Sequence, residues 1–218
     1  MYCVPGGGCR SHLSRRAAAL ARAAPHVQSL SAMTPDQSHF PKPATLAVVV
    51  AAMDHRAGPE HAPVIVVEYG DFECPSCAAV EPALRHLREL HGPALSFVFR
   101  HFPLEGAHPH ALAAAEAAEA AGAQGKFWLM HDLLLANYRH LTAHDLERYA
   151  ANLGLDMLRF KAEMKEEIYR QRIREHQSGG RHSHLRATPG IFVNGEVQDV
   201  SGGMGGLYDL VAAELRNA

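Results

Sequence analysis

Cysteine is scarce in this chain: four in 218 residues, at Cys3, Cys9, Cys74 and Cys77. So few thiols cannot staple a disulfide-rich scaffold, and the fold must rest on an apolar core. Long apolar runs are missing as well. The longest charge-free one, residues 44–53, falls far short of the roughly 20 residues that a spanning helix needs, so no membrane span is expected. Charge of one sign is nearly absent in sum. A net charge of −2 supplies no field to recruit nucleic acid or an anionic membrane surface.

Acids are absent from residues 1–32, which carry Arg10, Arg15, Arg16 and Arg22; the first acid is Asp36. Such a basic, Ser- and Ala-containing stretch is similar in composition to an organellar transit peptide. It is unlike a secretory signal, because Arg15, Arg16 and Arg22 break every run that could form the apolar centre. The plainer reading is a basic, disordered extension, with Met33 as the native start. The expected location is therefore the cytoplasm, or an organelle or exported space if the extension is a targeting segment. Cys3 and Cys9 lie in this extension around Gly6-Gly7-Gly8, with no histidine pair at zinc-ligand spacing, and read as incidental. The proline-spaced residues 35–43 read as a linker, leaving one domain over residues 44–218.

What is present is ordinary globular material, 47% hydrophobic and 20% charged, with 16 histidines that make the charge sensitive to mild acid. Residues 44–50, rich in valine, read as a strand, and residues 54–63, with Gly58-Pro59, as a loop. Val64-Ile65-Val66-Val67 begins a strand buried on both faces. A helix then starts at Cys74, with Pro75 at the first helical position, where a missing N–H costs nothing. Cys77, Val80, Leu84, Leu87 and Leu90 keep helical spacing and predict its core face; Pro82 should bend this helix without ending it, and Gly92-Pro93 should stop it. Residues 95–100 predict a second long strand.

Residues 107–178 are helical in pattern throughout. The run 111–121 is nearly all strong helix formers, Thr142 and Asp145 mark a capping box, and Phe160, Met164 and Ile168 define a stripe. These stripes read as core packing. Ile191-Phe192-Val193 is a strand, Asn194-Gly195 the strongest short hairpin signal, residues 196–200 the returning strand and residues 207–215 a closing helix.

The chemistry-bearing motif is Cys74-Pro75-Ser76-Cys77, two thiols on the first turn of a helix that follows a strand. A zinc half-site is the rival reading, but no second C-x-x-C exists and Pro75 sets a helix where a zinc knuckle needs a turn. His108-x-His110 and His182-x-His184 lack a third ligand at useful spacing and read as surface or helix-end polarity. The glycine-rich run 201–206 has no phosphate-loop spacing and reads as a loop. No metal is expected.

With CPSC at a strand-to-helix junction, Thr188-Pro189 before a late strand and a helical block between them, the chain resembles the DsbA-like oxidoreductases of the thioredoxin fold. The resemblance rests on VEYGDFECPSC (67–77), FRHFPL (99–104), HPHA (108–111), AAEAAEAAGAQGKFWLMHD (114–132) and TPGIFVNG (188–195). It implies an α/β thioredoxin fold with an inserted helical block at about 107–178, and protein-disulfide oxidoreductase activity. It also implies that Cys74 is the nucleophilic thiol and Cys77 the resolving thiol. Pro189 would be a cis-proline facing them, with Thr188 before it; the residues alone leave cis and trans equally open. Glu68 matches an acid found beneath the site in many relatives. No cofactor is implied beyond the redox-active Cys74–Cys77 disulfide. The implied partners are protein or peptide thiols and disulfides, with a quinone-linked oxidase, thioredoxin or glutathione as redox partner.

Departures are informative. Ser76 stands where strong oxidants of the family carry His or another ring, and Ala187 and Gly190 flank Thr188-Pro189 atypically. A thiolate must form from a thiol of ordinary pKa about 8.5, and the helix dipole contributes only ~0.3–1 kcal/mol. Asp71 and Glu73 add opposing negative charge. The expectation is a Cys74 nearer about 7 than ~3.5. Two other functions remain open: a noncatalytic redox-sensing or partner-binding module, and a glutathione-linked transferase of the same fold.

Overall fold

The computed structural model describes residues 45–218. The readings made on Cys3, Cys9, Met33 and the linker lie outside the described residues. Five strands form one sheet in the order β1-β3-β2-β4-β5: β1 His55–Ala57, β2 Val64–Gly70, β3 Leu95–His101, β4 Gly190–Val193 and β5 Glu196–Gln198. Strands β2 and β3 run parallel, with Val64 opposite Leu95 and Gly70 opposite His101; the other three pairings are antiparallel.

Burial explains the pairing. Every residue of β3 and all but one of β2 are buried or nearly so, because helices cover both faces of the sheet. Side chains alternate by the two-residue period of a strand. Val64, Val66, Phe97, Phe99, Ile191 and Val193 join one core, with helices α1 (Pro75–His91), α2 (Ala111–Gly122), α3 (Phe127–Ala136), α4 (Ala143–Asn152) and α5 (Met157–Glu166). Val67, Tyr69, Val98, Phe102 and Phe192 join a second, smaller core on the opposite face. Helix α6 (Arg170–His182) covers this second face through a glycine. A Cβ at Gly180 would stand 2.6 Å from the Phe102 ring and 3.1 Å from Tyr69. Glu68 shares the parity of Val64 and Val66, so it points into the larger core beneath α1.

Helix α1 begins as its sequence requires, with Cys74 extended at the N-cap and Pro75 inside. It runs unbroken through Pro82 to His91 and stops at Gly92, whose φ is +44°. Thr142 and Asp145 close a reciprocal capping box on α4. At the hairpin, Asn194 and Gly195 both take positive φ, +47° and +89°, as a type I′ turn demands. Helix α7 (Gly205–Asn217) closes the chain, its Tyr208 hydroxyl donating to the Ala83 carbonyl at 2.8 Å.

Four readings need correction. Residues 46–50 form no strand; Thr45 alone bridges to Glu196. The carbonyls of Val48 and Val49 are instead taken by the Arg100 guanidinium at 2.8 and 2.9 Å, which leaves them unable to join a ladder. The loop 54–63 contains β1, a strand without β-branched residues that forms because β3 offers it an edge. Leu90 is 60% exposed, and Glu81 occupies the inner face in its stead, its charge met by Arg88 at 2.8 Å. The stripe through Phe160 and Met164 ends before Ile168, because Glu167 turns left-handed (φ +54°) and closes α5.

Candidate active site

The turn that carries the two thiols is built by Asp71. Its carbonyl accepts the Cys74 N–H at 3.1 Å, and its carboxylate Oδ1 accepts the Glu73 N–H at 2.8 Å. Its other oxygen, Oδ2, accepts the Leu104 N–H at 2.8 Å and meets His108 Nδ1 at 2.7 Å. Glu73 reaches outward, its Oε2 accepting the His110 N–H at 2.6 Å. The two acids expected to repel a thiolate are thus bound to three backbone N–H groups and an imidazole.

Cys74 is 6% exposed and Cys77 fully buried, and both thiols are free. Hydrogen bonding from the Cys77 thiol, against the opposing effect of burial, draws Cys74 down to about 5; the N–H groups of Cys77 and Ser76 add to it. The Thr188 carbonyl, which accepts the Cys74 S–H at 3.5 Å, favours the neutral thiol. It is one weak acceptor against several donors, so the thiolate prevails. This lies below the expected value, because hydrogen bonds to the sulfur at the helix N-terminus favour the thiolate. Burial pushes Cys77 well above its ordinary range, with its bond to Cys74 and the nearby Glu68 adding to the effect.

Thr188 and Pro189 face this pair across a cis peptide bond. Ser76, Ala79, Val80, Thr188 and Pro189, with the β5-side residue Val200, line an open groove of about 390 Å³. Glu68 lies beneath, fully buried, with neither carboxylate oxygen hydrogen-bonded. Burial raises it to about 8; Glu81 and the Cys74 thiolate push in the same direction, and Arg88 pulls against them. The structure therefore gathers Cys74, Cys77, Pro75, Ser76, Thr188, Pro189 and Glu68 in one place.

Two further groups bring metal-type donors together, His55–His101–Glu119 and Glu68–Glu81–His131, each within 4.8 Å. Neither includes a thiol of the C-x-x-C pair. In both, a guanidinium already occupies the carboxylate: Arg172 bonds Glu119 Oε1 at 2.9 Å and Arg88 bonds Glu81 Oε1 at 2.8 Å. A divalent cation would have to share each oxygen with a fixed cation, so these groups fit ion-pair networks better than metal centres. Of the histidines weighed as ligands, His182 Nδ1 donates to the Ser178 carbonyl at 2.9 Å within its own helix, and His184 is exposed.

Sequence reasoning missed His108, Glu81 and His131 as members of this region. The first had a signal, since HPHA (108–111) is one of the motifs that carry the resemblance. The other two read only as helix-face residues, and nothing in their spacing tells which helix face meets Glu68.

A family model described as Thioredoxin matches residues 51–207. Among curated relatives, the Na(+)/H(+) antiporter NhaA 1 of Salinispora arenicola is 51% identical over 142 residues, which is 65% of this chain and 22% of the antiporter. NhaA 1 of Mycolicibacterium vanbaalenii is 42% identical over 144 residues, 65% of this chain and 23% of the antiporter. The chain thus spans less than a quarter of the length of these relatives. Among solved structures, oxidised BdbD from Bacillus subtilis superposes with a TM-score of 0.68 at 22% identity, covering 75% of this chain and 93% of that one. A thioredoxin-like oxidoreductase from Silicibacter pomeroyi gives 0.66 at 24% identity, covering 76% and 93%. The thiol-disulfide exchange protein alpha-DsbA2 from Wolbachia pipientis gives 0.62 at 19% identity, covering 76% and 87%. With its mixed sheet, its helical block and C-x-x-C at the head of α1, the chain belongs to the thioredoxin family and has the fold of the DsbA-like thiol–disulfide oxidoreductases.

Proposed function

We propose that the chain exchanges disulfides with protein or peptide thiols through a mixed disulfide on Cys74. The observation that carries this reading is the asymmetry of the pair: an acidic sulfur at the N-cap of α1 and a fully buried, reluctant one a turn inside. In the reducing direction the Cys74 thiolate attacks a substrate disulfide and one substrate sulfur leaves as thiolate. Cys77 then attacks the Cys74 sulfur; the Cys74–Cys77 bond forms, the second substrate sulfur leaves as thiolate, and the Cys77 proton passes to it. The oxidising direction is the same sequence reversed. A stabilised Cys74 thiolate favours the reduced pair over the disulfide and so raises its potential.

The test is covalent trapping. Cys77→Ser should accumulate mixed disulfides with a thiol-containing substrate such as reduced and reoxidising insulin, and Cys74→Ser should yield none. Absence of adducts from Cys77→Ser, with the protein folded, removes the role assignment.

A second reading, a redox-sensing module that serves a partner, is favoured by one observation: the relatives of highest identity given above are named antiporters, and most of their length lies outside the match. In that reading the partner thiols belong to a membrane transport protein. Turnover separates the two, because a sensor would reduce insulin poorly while still cycling its own Cys74–Cys77 pair.

A further inference from the structure

Three stretches of chain line the groove at Thr188-Pro189: the first turns of α1, residues 187–189, and residues 198–201, which end β5 and begin the turn after it. Two of these tie the groove to the reacting sulfur. Ser76 lies two residues beyond Cys74, and the Thr188 carbonyl stands 3.5 Å from the Cys74 sulfur. The Thr188 hydroxyl oxygen is buried and has no hydrogen-bond partner among the described residues. A buried polar atom without a partner costs free energy, which an N–H or carbonyl of a bound chain can recover.

Charge in the groove has one sign. Neither α1 nor residues 187–189 contribute a charged side chain to it, and Arg186, next to them in sequence, does not line it. The single charged residue of the lining is Asp199, which is exposed and makes no ion pair among the described residues. Its Oδ1 accepts the Ser201 N–H at 2.9 Å, which holds the carboxylate in one orientation. The apolar part of the lining comes from Ala79, Val80, Pro189 and Val200.

We propose that Asp199 makes the protein select cysteines in cationic segments: an apolar neighbour of the client cysteine lies in the groove, and a nearby lysine or arginine pairs with the Asp199 carboxylate. This rests on the exchange chemistry assigned to Cys74 above and names the class of client it serves. Asp199 determines specificity; no bond to it forms or breaks. In the oxidising direction a client sulfur attacks the Cys74 sulfur as thiolate, the client–Cys74 bond forms and the Cys74–Cys77 bond breaks. The electron pair leaves on Cys77, and the client's thiol proton passes to it. A client cation paired with Asp199 is bound before and throughout this step, so it raises the rate of capture more than that of the chemistry. A client glutamate in the same place meets a like charge and is disfavoured.

The experiment uses the oxidised full chain and reduced single-cysteine peptides of one sequence, which differ only in carrying lysine, glutamine or glutamate close to the cysteine. Loss of peptide thiol is followed in the parent, Asp199→Asn and Asp199→Lys. A lysine also changes the reactivity of its own peptide, so the quantity read is the lysine-to-glutamate rate ratio of the parent divided by that of each variant, in which peptide reactivity cancels. Asp199→Asn should lower the ratio roughly two- to five-fold and Asp199→Lys should lower it further, with both differences shrinking at about 0.5 M salt. A ratio that is the same in parent and both variants overturns the proposal. So does an equal slowing of all three peptides, which would make Asp199 a brace for its own turn and nothing more. If the parent oxidises no peptide at all, the underlying exchange reading fails; if it oxidises all three without regard to charge, only the present inference fails.

Discussion

Glu68→Gln should reverse part of the pH dependence of stability, and by an amount that depends on the redox state of the two thiols. The folded chain holds a proton on Glu68 up to about pH 8, whereas an unfolded glutamate releases it near 4.5. Between those values the folded state binds more protons, so rising pH favours unfolding by about 1.4 kcal/mol per unit. At pH 7 the accumulated cost is ~3 kcal/mol. Cys74 acts oppositely in the reduced protein. Its thiol ionises near 5 when folded and near 9 when unfolded, so rising pH through that window stabilises the fold with the same slope. The two oppose each other in the reduced parent between about pH 5 and 8. Oxidation removes the thiol, leaving the falling Glu68 contribution exposed, although smaller, because the thiolate is among the charges that raise Glu68. Buried His176, held near 3 chiefly by burial, makes stability fall as pH drops below about 6.5; it is common to parent and variant and disappears in their difference. The assay is urea unfolding of parent and Glu68→Gln, reduced and oxidised, at half-unit steps from pH 5 to 8. The variant-minus-parent stability should rise with pH in both redox states, and reduced Glu68→Gln should be more stable at pH 8 than at pH 6.5. A variant-minus-parent difference that is flat with pH would refute the reasoning, because it would mean that Glu68 is already ionised in the folded state.

Other outcomes follow from the same structure. Absorbance titration of reduced protein should place the Cys74 thiolate midpoint near 5, well below an ordinary thiol; a midpoint above 8 would show that the helix terminus and its donors do not act on this sulfur. Gly180→Ala should cost roughly 1–3 kcal/mol in urea unfolding, since its methyl would press on the Phe102 and Tyr69 rings; a neutral result would mean that α6 shifts freely over this face. Thr142→Ala should cost about 1 kcal/mol by removing half of the α4 capping box, with no change in the Cys74 titration.

The fold was legible wherever residue pattern and burial coincide. Val64-Ile65-Val66-Val67, the capping box at Thr142 and Asn194-Gly195 each state their structure locally, and each adopts it. Residues 46–50 did not, because valine content reports a preference for extended backbone and not the presence of a free neighbour. Arg100, 52 and 51 residues along from Val48 and Val49, takes the carbonyls of that segment. The redox pair and Thr188-Pro189 were legible from motif order. The acidity of Cys74 was underestimated because the hydrogen bonds that reach its sulfur were not counted. Which donors face a carboxylate depends on the approach of residues 104–110, and linear spacing does not contain that information.

The two outer strands of the sheet, β1 and β5, are only three residues long. An open strand edge is a template onto which any extended chain can zip. A molecule whose proposed substrates are incompletely folded chains meets such material constantly. Arg56 at one border, and Glu196 with Gln198 at the other, leave little unpaired backbone for a client to extend and put charge or polarity where it would lie. Short, polar edges of this kind would keep an extended chain held at the sulfur from adding itself to the sheet.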